Sequence, residues 1–336
     1  MDAPRDLPAL IGQSPAFLEV MELTSRAAAL ERPVLVIGER GTGKELIAQR
    51  LHFLSGRWDK PLIKVNCAAL PETLLETELF GHEAGAFTGA ARRRAGRFER
   101  ADGGSLFMDE IANASMAAQE KILRIVEYGE LERVGSSATL HVDVRVIAAT
   151  NVDLPAEAAA GGFRLDLLDR LSFEVITVPP LRARREDIPV LADHFGQAMA
   201  RELGWQAFPG FSERAMAALM GHPWPGNVRE IKNAAERAVY RWADEEAPID
   251  AIPFDPFASP FRPASEKPPG ATAAAEAAPA PARLDLRAEL GRTEKRLLEE
   301  ALGAARFNQR VAARHLGLSY DQLRNRLRKH GLLERR

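Results

Sequence analysis

The chain has 336 residues, 27% charged and 46% hydrophobic, enough for two or three domains with sizeable cores. Residues 1–10 are polar and proline-bearing, no apolar run approaches a membrane span, and the single cysteine, Cys67, cannot close an intramolecular disulfide; this argues against secretion and membrane insertion and for a reducing cytoplasm. The net charge of −2 hides an asymmetry: residues 283–336 hold 14 Lys/Arg against 7 Asp/Glu, a net of +7 on a body of −9, so a polyanion partner is expected at that end.

Residues 8–30 open with a turn, LIGQSPAF, and continue at helical spacing through Phe17, Val20, Met21, Leu23, Thr24 and Ala27, with no room upstream for a separate sensory domain. From 33 to 178, strand-like runs at 34–37, 62–65, 105–108, 144–149 and 175–178 alternate with helical ones. This alternation predicts a parallel α/β sheet covered on both faces, with ligands at the carboxyl ends of its strands.

The first run leads into PVLVIGERGTGKE at 33–45, a strand, a glycine-rich loop and a helix start with G-x4-G-K spacing. Gly38, Glu39, Arg40, Gly41, Thr42, Gly43 and Lys44 match a phosphate-binding loop, in which curled backbone N–H groups, a helix N-terminus and a lysine converge on phosphates. Glu45 stands where Ser or Thr usually helps to hold Mg²⁺.

The third run ends Leu106-Phe107-Met108-Asp109-Glu110, and two acids closing an apolar strand fit a Walker B pair. Asp109 would hold Mg²⁺ directly or through water, and Glu110 would polarise an attacking water. The fourth run ends Thr150-Asn151, either a γ-phosphate reader or a plain turn. The segment 78–90, ELFGHEAGAFTGA, is broken by Gly81, Gly85 and Gly89 around Phe87, and reads as a surface loop or as a contact tip made by Phe87 and Thr88. Arg92, Arg93 and Arg94 follow as a solvated charge run.

Residues 182–246 are helical by pattern, with apolar positions at Ile188, Leu191, Phe195 and Met199, then Met216, Leu219 and Met220, then Val228, Ile231 and Ala235. Gly226 opens the last of these helices and sets Arg229 in its first turn, while Trp58, in polar SGRWDKP, is expected to be exposed. Eight prolines and many alanines make 251–283 an extended linker. At 292–332 the spacing predicts three helices: a first carrying Leu297, Leu298, Ala301 and Leu302, a second from about Gln309 to His315, and a third capped by Ser319 after a Gly317 turn. The third, YDQLRNRLRKH, turns Leu323 and Leu327 inward and leaves Arg324, Asn325, Arg328 and Lys329 outward. This is a helix-turn-helix with a basic recognition helix, and its arginines suit phosphates or bases equally.

GAFTGA at 85–90 behind ELFGHE at 78–83, with GERGTGKE at 38–45, NCA at 66–68, GRFERADGGSLFMDE at 96–110, ERVG at 132–135, FRLDLLDRL at 163–171 and WPGNVREI at 224–231, resembles the bacterial sigma-54-dependent transcription activators of the AAA+ class, most of all their phage-shock branch. Glu45 departs from the general phosphate-loop motif but not from the family's. N-x3-AA-x2-LGLS-x3-L at 308–323 is similar to the Fis-like modules that end such proteins.

The resemblance implies an AAA+ α/β ATPase part over 8–180, a helical lid over 181–250, the linker over 251–283 and an all-α DNA-binding module over 284–336. It implies ATP and Mg²⁺ at the phosphate loop with Thr150, Asn151 and Arg229, and Asn66 holding or releasing Glu110 according to the nucleotide. Arg164 and Arg170 would act as fingers into a neighbouring subunit, so a ring, by resemblance a hexamer, is expected; as bare residues they pair with Asp166 or Asp169. Gly85, Ala86, Phe87, Thr88, Gly89 and Ala90 would contact sigma-54 RNA polymerase. Ser319, Tyr320, Arg324, Asn325, Arg328 and Lys329 would face enhancer double-stranded DNA. A phage-shock negative regulatory protein is the implied controller, with Trp58 as a docking point. Two other classes are weighed against this activator: a DNA-binding regulator using the ATPase fold as an oligomerisation scaffold, and a general AAA+ unfoldase or loader.

Overall fold

The computed structural model describes residues 10–87, 89–259, 261–262, 286–305 and 308–332, and the chain divides into two compact units, Met1–Pro260 and Phe261–Arg336. Among the described residues no helix is long and apolar enough to cross a membrane.

The first unit begins with α1 (Pro15–Ala28), capped by Ser14, then β1 (Val34–Ile37) and α2 (Lys44–Phe53). Next come β2 (Leu62–Asn66), α3 (Glu72–Phe80), β3 (Gly81–His82), β4 (Arg94–Ala95), α4 (Arg97–Arg100) and β5 (Ser105–Asp109). After α5 (Met116–Tyr128) a hairpin of β6 (Glu130–Glu132) and β7 (Thr139–His141) precedes β8 (Arg145–Thr150). α6 (Leu154–Ala159), α7 (Leu165–Leu171) and β9 (Glu174–Thr177) complete the α/β part. Five strands pair in parallel in the order β2-β5-β8-β1-β9, the sheet that the alternating pattern predicts, with each predicted strand present within one residue of its bounds. The hairpins β3–β4 and β6–β7 are too short to stand out in the sequence.

Strands buried on both faces read as continuous apolar runs, because helices cover a parallel sheet on either side. One face carries Leu35, Leu106, Met108, Val146 and Ala148 against α3, α5 and α7; the other carries Val34, Val36, Phe107, Ile147 and Ala149 against α1 and α2. Arg145 opens β8 inside this core, its guanidinium donating to the carbonyls of Ala27 at 2.8 Å, Ala28 at 3.2 Å and Leu51 at 3.3 Å. It thereby ties the carboxyl ends of α1 and α2, where helix carbonyls lack intrahelical partners, to the sheet.

α8 (Asp187–Glu202), α9 (Glu213–Gly221) and α10 (Asn227–Tyr240) form the lid around Leu181, Ile188, Leu191, Leu219, Trp224 and Ile231. Part of the predicted linker belongs to this body: Ile252 and Phe254 pack on it, Phe254 stacks on His222 at 4.4 Å, and Arg237 donates to the Pro253 carbonyl at 2.7 Å. Two apolar side chains among the prolines suffice to hold that stretch down. Residues 263–283 lie outside the described residues.

The second unit holds α11 (Leu286–Ala304), α12 (Gln309–His315) and α13 (Tyr320–Lys329) around Leu298, Leu302, Ala312, Leu323 and Leu327. Leu297, carried on α11 with Leu298, Ala301 and Leu302, is 45% exposed, because those three already fill the stripe facing the other two helices.

Candidate functional site

The carboxyl ends of β1, β8 and β5 present the phosphate loop, the Thr150-Asn151 pair and the two acids side by side. Gly38 N–H donates to the Thr150 carbonyl at 3.2 Å, so the loop leaves the sheet beside β8. Gly41 at φ +77 and Gly43 at φ +102 take left-handed backbone that ordinary side chains rarely adopt. Gly43 is the N-cap of α2 and brings no side chain onto its first turn, so that helix end faces the loop with its N–H groups and partial positive charge.

Lys44, 8% exposed, curls back so that its ammonium donates to the carbonyls of Gly38 at 2.8 Å and Glu39 at 3.2 Å. Burial pushes its pKa below the ordinary lysine value, and the charges of Asp109 and Glu110 pull the other way. Thr42 Oγ1 donates to the Glu39 carbonyl at 2.8 Å and firms the turn. Glu45 turns outward to Lys64 on β2 at 2.9 Å, which is how a carboxylate is accommodated directly after the loop lysine.

Asp109 closes β5, in register with Asn66, and its Oδ1 accepts the Glu110 N–H at 3.0 Å. Glu110 sits in left-handed backbone at φ 55, with Oε1 3.8 Å from Arg40 Nε. A non-glycine residue held there is a local strain, of a kind that concentrates at functional positions. The donor set suits Mg²⁺, which takes one or two carboxylates and completes its shell with substrate oxygens and water. Among the described residues no group of three or more His, Cys, Asp or Glu could hold an ion alone.

Asn66 is the last residue of β2 rather than beyond it, and its side-chain oxygen accepts the Ala68 N–H at 2.8 Å instead of engaging Glu110. Thr150 is buried, its hydroxyl accepting the Val152 N–H at 3.2 Å, so that side chain shapes the strand-end turn, with Asn151 half-buried beside it. Cys67, next to Asn66, is buried as expected, and burial together with Asp109 and Glu110 pushes its thiol up to about 12.

The lid closes over the loop through Arg229, which the sequence singled out, and through Asn227, Arg182, Arg184 and Asp187, which it did not. Arg229 N–H donates to the Gly41 carbonyl at 3.3 Å, and the buried Asn227 side chain donates to Glu39 Oε2 at 3.1 Å. Arg182 forks the same carboxylate, and these two contacts hold Glu39 down at about 2. Arg184 donates to the Thr42 carbonyl at 3.0 Å, and Asp187 accepts from Ser14 N at 2.8 Å and Ser14 Oγ at 2.9 Å. For Arg182, Arg184 and Asp187 the only signal available was charge at the start of a helical stretch, and their partners lie more than 140 residues away.

Within this chain Arg164 pairs with Asp166, Nη2 to Oδ2 at 2.7 Å, as its bare reading allowed, whereas Arg170 pairs with Glu127 of α5 rather than with Asp169. Both arginines sit on or beside α7, whose entry is fixed by the buried Gln119 accepting the Arg164 N–H at 2.8 Å.

The 85–90 segment is the tip of the β3–β4 hairpin. Gly85 N–H donates to the Ala90 carbonyl at 2.8 Å, and Phe87, 44% exposed, meets His82 edge-on at 5.0 Å. Thr88 lies outside the described residues. Below the tip, buried Arg133 donates to Glu83 at 2.7 Å and to Glu99 at 2.8 Å, tying the stem to α4 and to the loop after β6. Trp58 is exposed, as its polar surroundings predict.

In the second unit Ser319 caps α13 in a reciprocal box with Gln322, at 3.2 Å and 3.0 Å, after Gly317 turns at φ +65. Arg324, Asn325 and Arg328 are exposed and Tyr320 is partly so, its hydroxyl 3.4 Å from Gln309 Oε1. Lys329 is not simply outward: it pairs at 3.1 Å with Glu294 of α11, which also takes Arg326 and His330. One carboxylate under the end of α13 gathers these cations.

Residues 10–177 match the sigma-54 interaction domain, 182–266 an AAA+ ATPase lid domain, and 289–330 the bacterial regulatory proteins of the Fis family. The chain is 55% identical over 323 residues to the Psp operon transcriptional activator of Escherichia coli K12, covering 96% of this chain and 97% of that one. It is 43% identical over 318 residues to the Nif-specific regulatory protein of Azotobacter vinelandii, covering 95% of this chain and 58% of that relative. Among solved structures, NtrX from Brucella abortus in complex with ATP aligns at TM-score 0.68 and 32% identity, over 96% of this chain and 70% of that one. A phosphate loop with paired strand-end acids, a lid docked on it and, later in the sequence, a basic helix-turn-helix agree with these matches: the chain belongs to the sigma-54-dependent transcriptional activators, AAA+ proteins with a Fis-type DNA-binding module.

Proposed function

We propose that this chain hydrolyses ATP and uses the cycle to remodel sigma-54 RNA polymerase at promoters, acting from upstream enhancer DNA and, as with the Psp operon activator it is similar to, on a phage-shock operon. The observation that carries the reading is the convergence at one sheet edge of the uncapped α2 N-terminus, buried Lys44, and the Asp109–Glu110 pair beside Arg40.

Lys44 leaves its two loop carbonyls to meet the phosphates, and the first-turn N–H groups of α2 complete the cradle. Asp109 is the residue to hold Mg²⁺, in part through water, and a bound magnesium would neutralise charge on the phosphates. Glu110 accepts a proton from the attacking water, and Asn66, by leaving Ala68, becomes free to restrain Glu110 in one nucleotide state. Arg229 reaches the nucleotide from the lid. Arg164 and Arg170 exchange Asp166 and Glu127 for the phosphates of an adjacent subunit, which requires a closed ring, taken here as a homo-hexamer. The Gly85–Ala90 tip then moves against sigma-54, and Arg324, Asn325 and Arg328 hold the module on enhancer DNA. A separate negative regulatory protein meets the exposed Trp58.

ATP-dependent open-complex formation by sigma-54 holoenzyme on a matching promoter tests the reading. Opening that requires both ATP and this chain supports it. ATP hydrolysis with no binding to sigma-54 in any nucleotide state would return the general unfoldase class, and no hydrolysis at all the scaffold class. Thr88→Ala is expected to keep ATPase activity while losing promoter opening.

A further inference from the structure

Asn227 opens α10 in left-handed backbone at φ 53, and its side chain is completely buried. Every polar position of its carboxamide that faces the site is engaged: the oxygen accepts the Leu181 N–H at 2.7 Å, and the nitrogen donates to Glu39 Oε2 at 3.1 Å and the Arg40 carbonyl at 3.0 Å. One side chain thus joins the lid, the segment leaving the sheet and the outer half of the phosphate loop. Arg182, beside Leu181, forks the same Glu39 carboxylate, Nη1 to Oε2 at 2.8 Å. The backbones are close too, since a Cβ on Gly41 would lie 2.3 Å from the Gly226 carbonyl. Residues 39–41 are therefore held to the lid. On that short stretch stands Arg40, which faces Glu110 at 3.8 Å, and two residues after Asn227 stands Arg229.

We propose that Asn227 and Glu39 are positioning residues for ATP turnover, a latch that fixes the outer phosphate loop to the lid and so sets where Arg40 and Arg229 stand relative to Glu110. The inference rests on reading the site as ATP-hydrolysing. A fully satisfied buried amide specifies one geometry sharply, and asparagine is among the few non-glycine residues that tolerate left-handed backbone. Exchanging only its donating nitrogen for an oxygen keeps shape and backbone but sets acceptor against acceptor at both Glu39 and Arg40. Glu39→Gln in that background restores a donor opposite the new carboxylate.

The test uses the full chain and three readouts: binding of a fluorescent non-hydrolysable ATP analogue, kcat and KM for ATP, and thermal unfolding. Asn227→Asp is expected to raise KM by about tenfold and lower kcat, and Glu39→Gln alone to raise KM by about threefold. The double variant is expected to show a KM at least about threefold below the product of the two single effects, the signature of direct coupling. A purely structural role would lower the unfolding temperature without this rescue. Parental kinetics in Asn227→Asp, or simple multiplication in the double variant, overturns the latch. If Asn227→Asp does not fold, Glu39→Gln on its half-exposed side chain decides: unchanged KM overturns the proposal, a raised one supports it. A parent chain that neither binds the analogue nor hydrolyses ATP removes the ATPase reading itself, an outcome distinct from an active parent with indifferent variants.

Discussion

Glu110 faces Arg40 across 3.8 Å from a backbone held at φ 55, a conformation in which a branched or long side chain is unfavourable. Asparagine tolerates that backbone better but cannot take up a proton as a carboxylate does. Glu110→Asn is therefore expected to stabilise the fold by about 0.5–1 kcal/mol and to bind ATP while turnover falls by about a hundredfold or more. Urea unfolding and steady-state ATPase measure the two halves. Normal turnover would remove Glu110 as the base, and a loss of stability would show that the strained backbone is not a burden.

Arg145 satisfies the ends of two helices from inside the core, with carbonyl partners only, and burial lowers its pKa from the ordinary arginine value. Arg145→Met keeps much of the apolar stem but abandons the Ala27, Ala28 and Leu51 carbonyls. A loss of about 2–4 kcal/mol is expected, read as a lower urea midpoint at unchanged slope. Arg145→Lys should recover only part of it, because one ammonium cannot span carbonyls from two helices.

The stem below the β3–β4 tip carries an acid-sensitive tie. The hydrogen bonds from Arg133 hold Glu99 below the ordinary carboxylate value, against the opposing effect of burial. A carboxylate depressed in the folded state contributes stability that is fully present above its unfolded value near 4.5 and is lost as pH falls through the folded one. Arg133→Met should thus cost about 2–3 kcal/mol at pH 7 and progressively less as pH falls from about 4.5 through the lower folded value, where the parent loses the tie. Stability measured from pH 7 to pH 3 checks this; a difference that stays constant with pH would contradict it.

Glu294 gathers three basic side chains at the end of α13. Arg326, Lys329 and His330 converge on it and hold its pKa at about 2, so the cluster persists until well below neutral pH. Glu294→Gln should loosen the end of α13 and release Arg326 and Lys329 for phosphates. Non-specific DNA affinity is expected to rise, with the slope of log affinity against log salt steeper by about 1–2. Fluorescence anisotropy across a salt series measures it, and an unchanged slope would mean that these cations never reach the duplex.

Much of the machinery was legible because its parts are local. A strand, a glycine loop and a helix start follow one another within 33–45, and Asp109-Glu110 closes an apolar run, so spacing alone placed them on one sheet edge. The recognition helix carried its own turn, cap and inward leucines. What stayed hidden depends on distant segments meeting. Asn227 and Glu39 are 188 residues apart, and Arg170 chose Glu127 of α5 over nearby Asp169 because the packing of α7 on α5 decides which acid is within reach. Lys329 looked free only until α11 supplied Glu294. Ile252 and Phe254 were passed over among prolines, although two apolar side chains outweigh a linker-like composition when a lid core lies beside them.

The chain's one thiol sits 2% exposed beside the strand-end acids Asp109 and Glu110, pushed up to about 12 and so almost wholly protonated at neutral pH. In practical terms the native background is silent to thiol reagents while folded. A cysteine placed at Phe87, Trp58 or Tyr320 would take a fluorophore or spin label selectively without removal of the natural one. Movements of the β3–β4 tip, the surface around Trp58 and the helix α13 can then be followed one at a time, and the moment Cys67 itself begins to react reports that the sheet has opened.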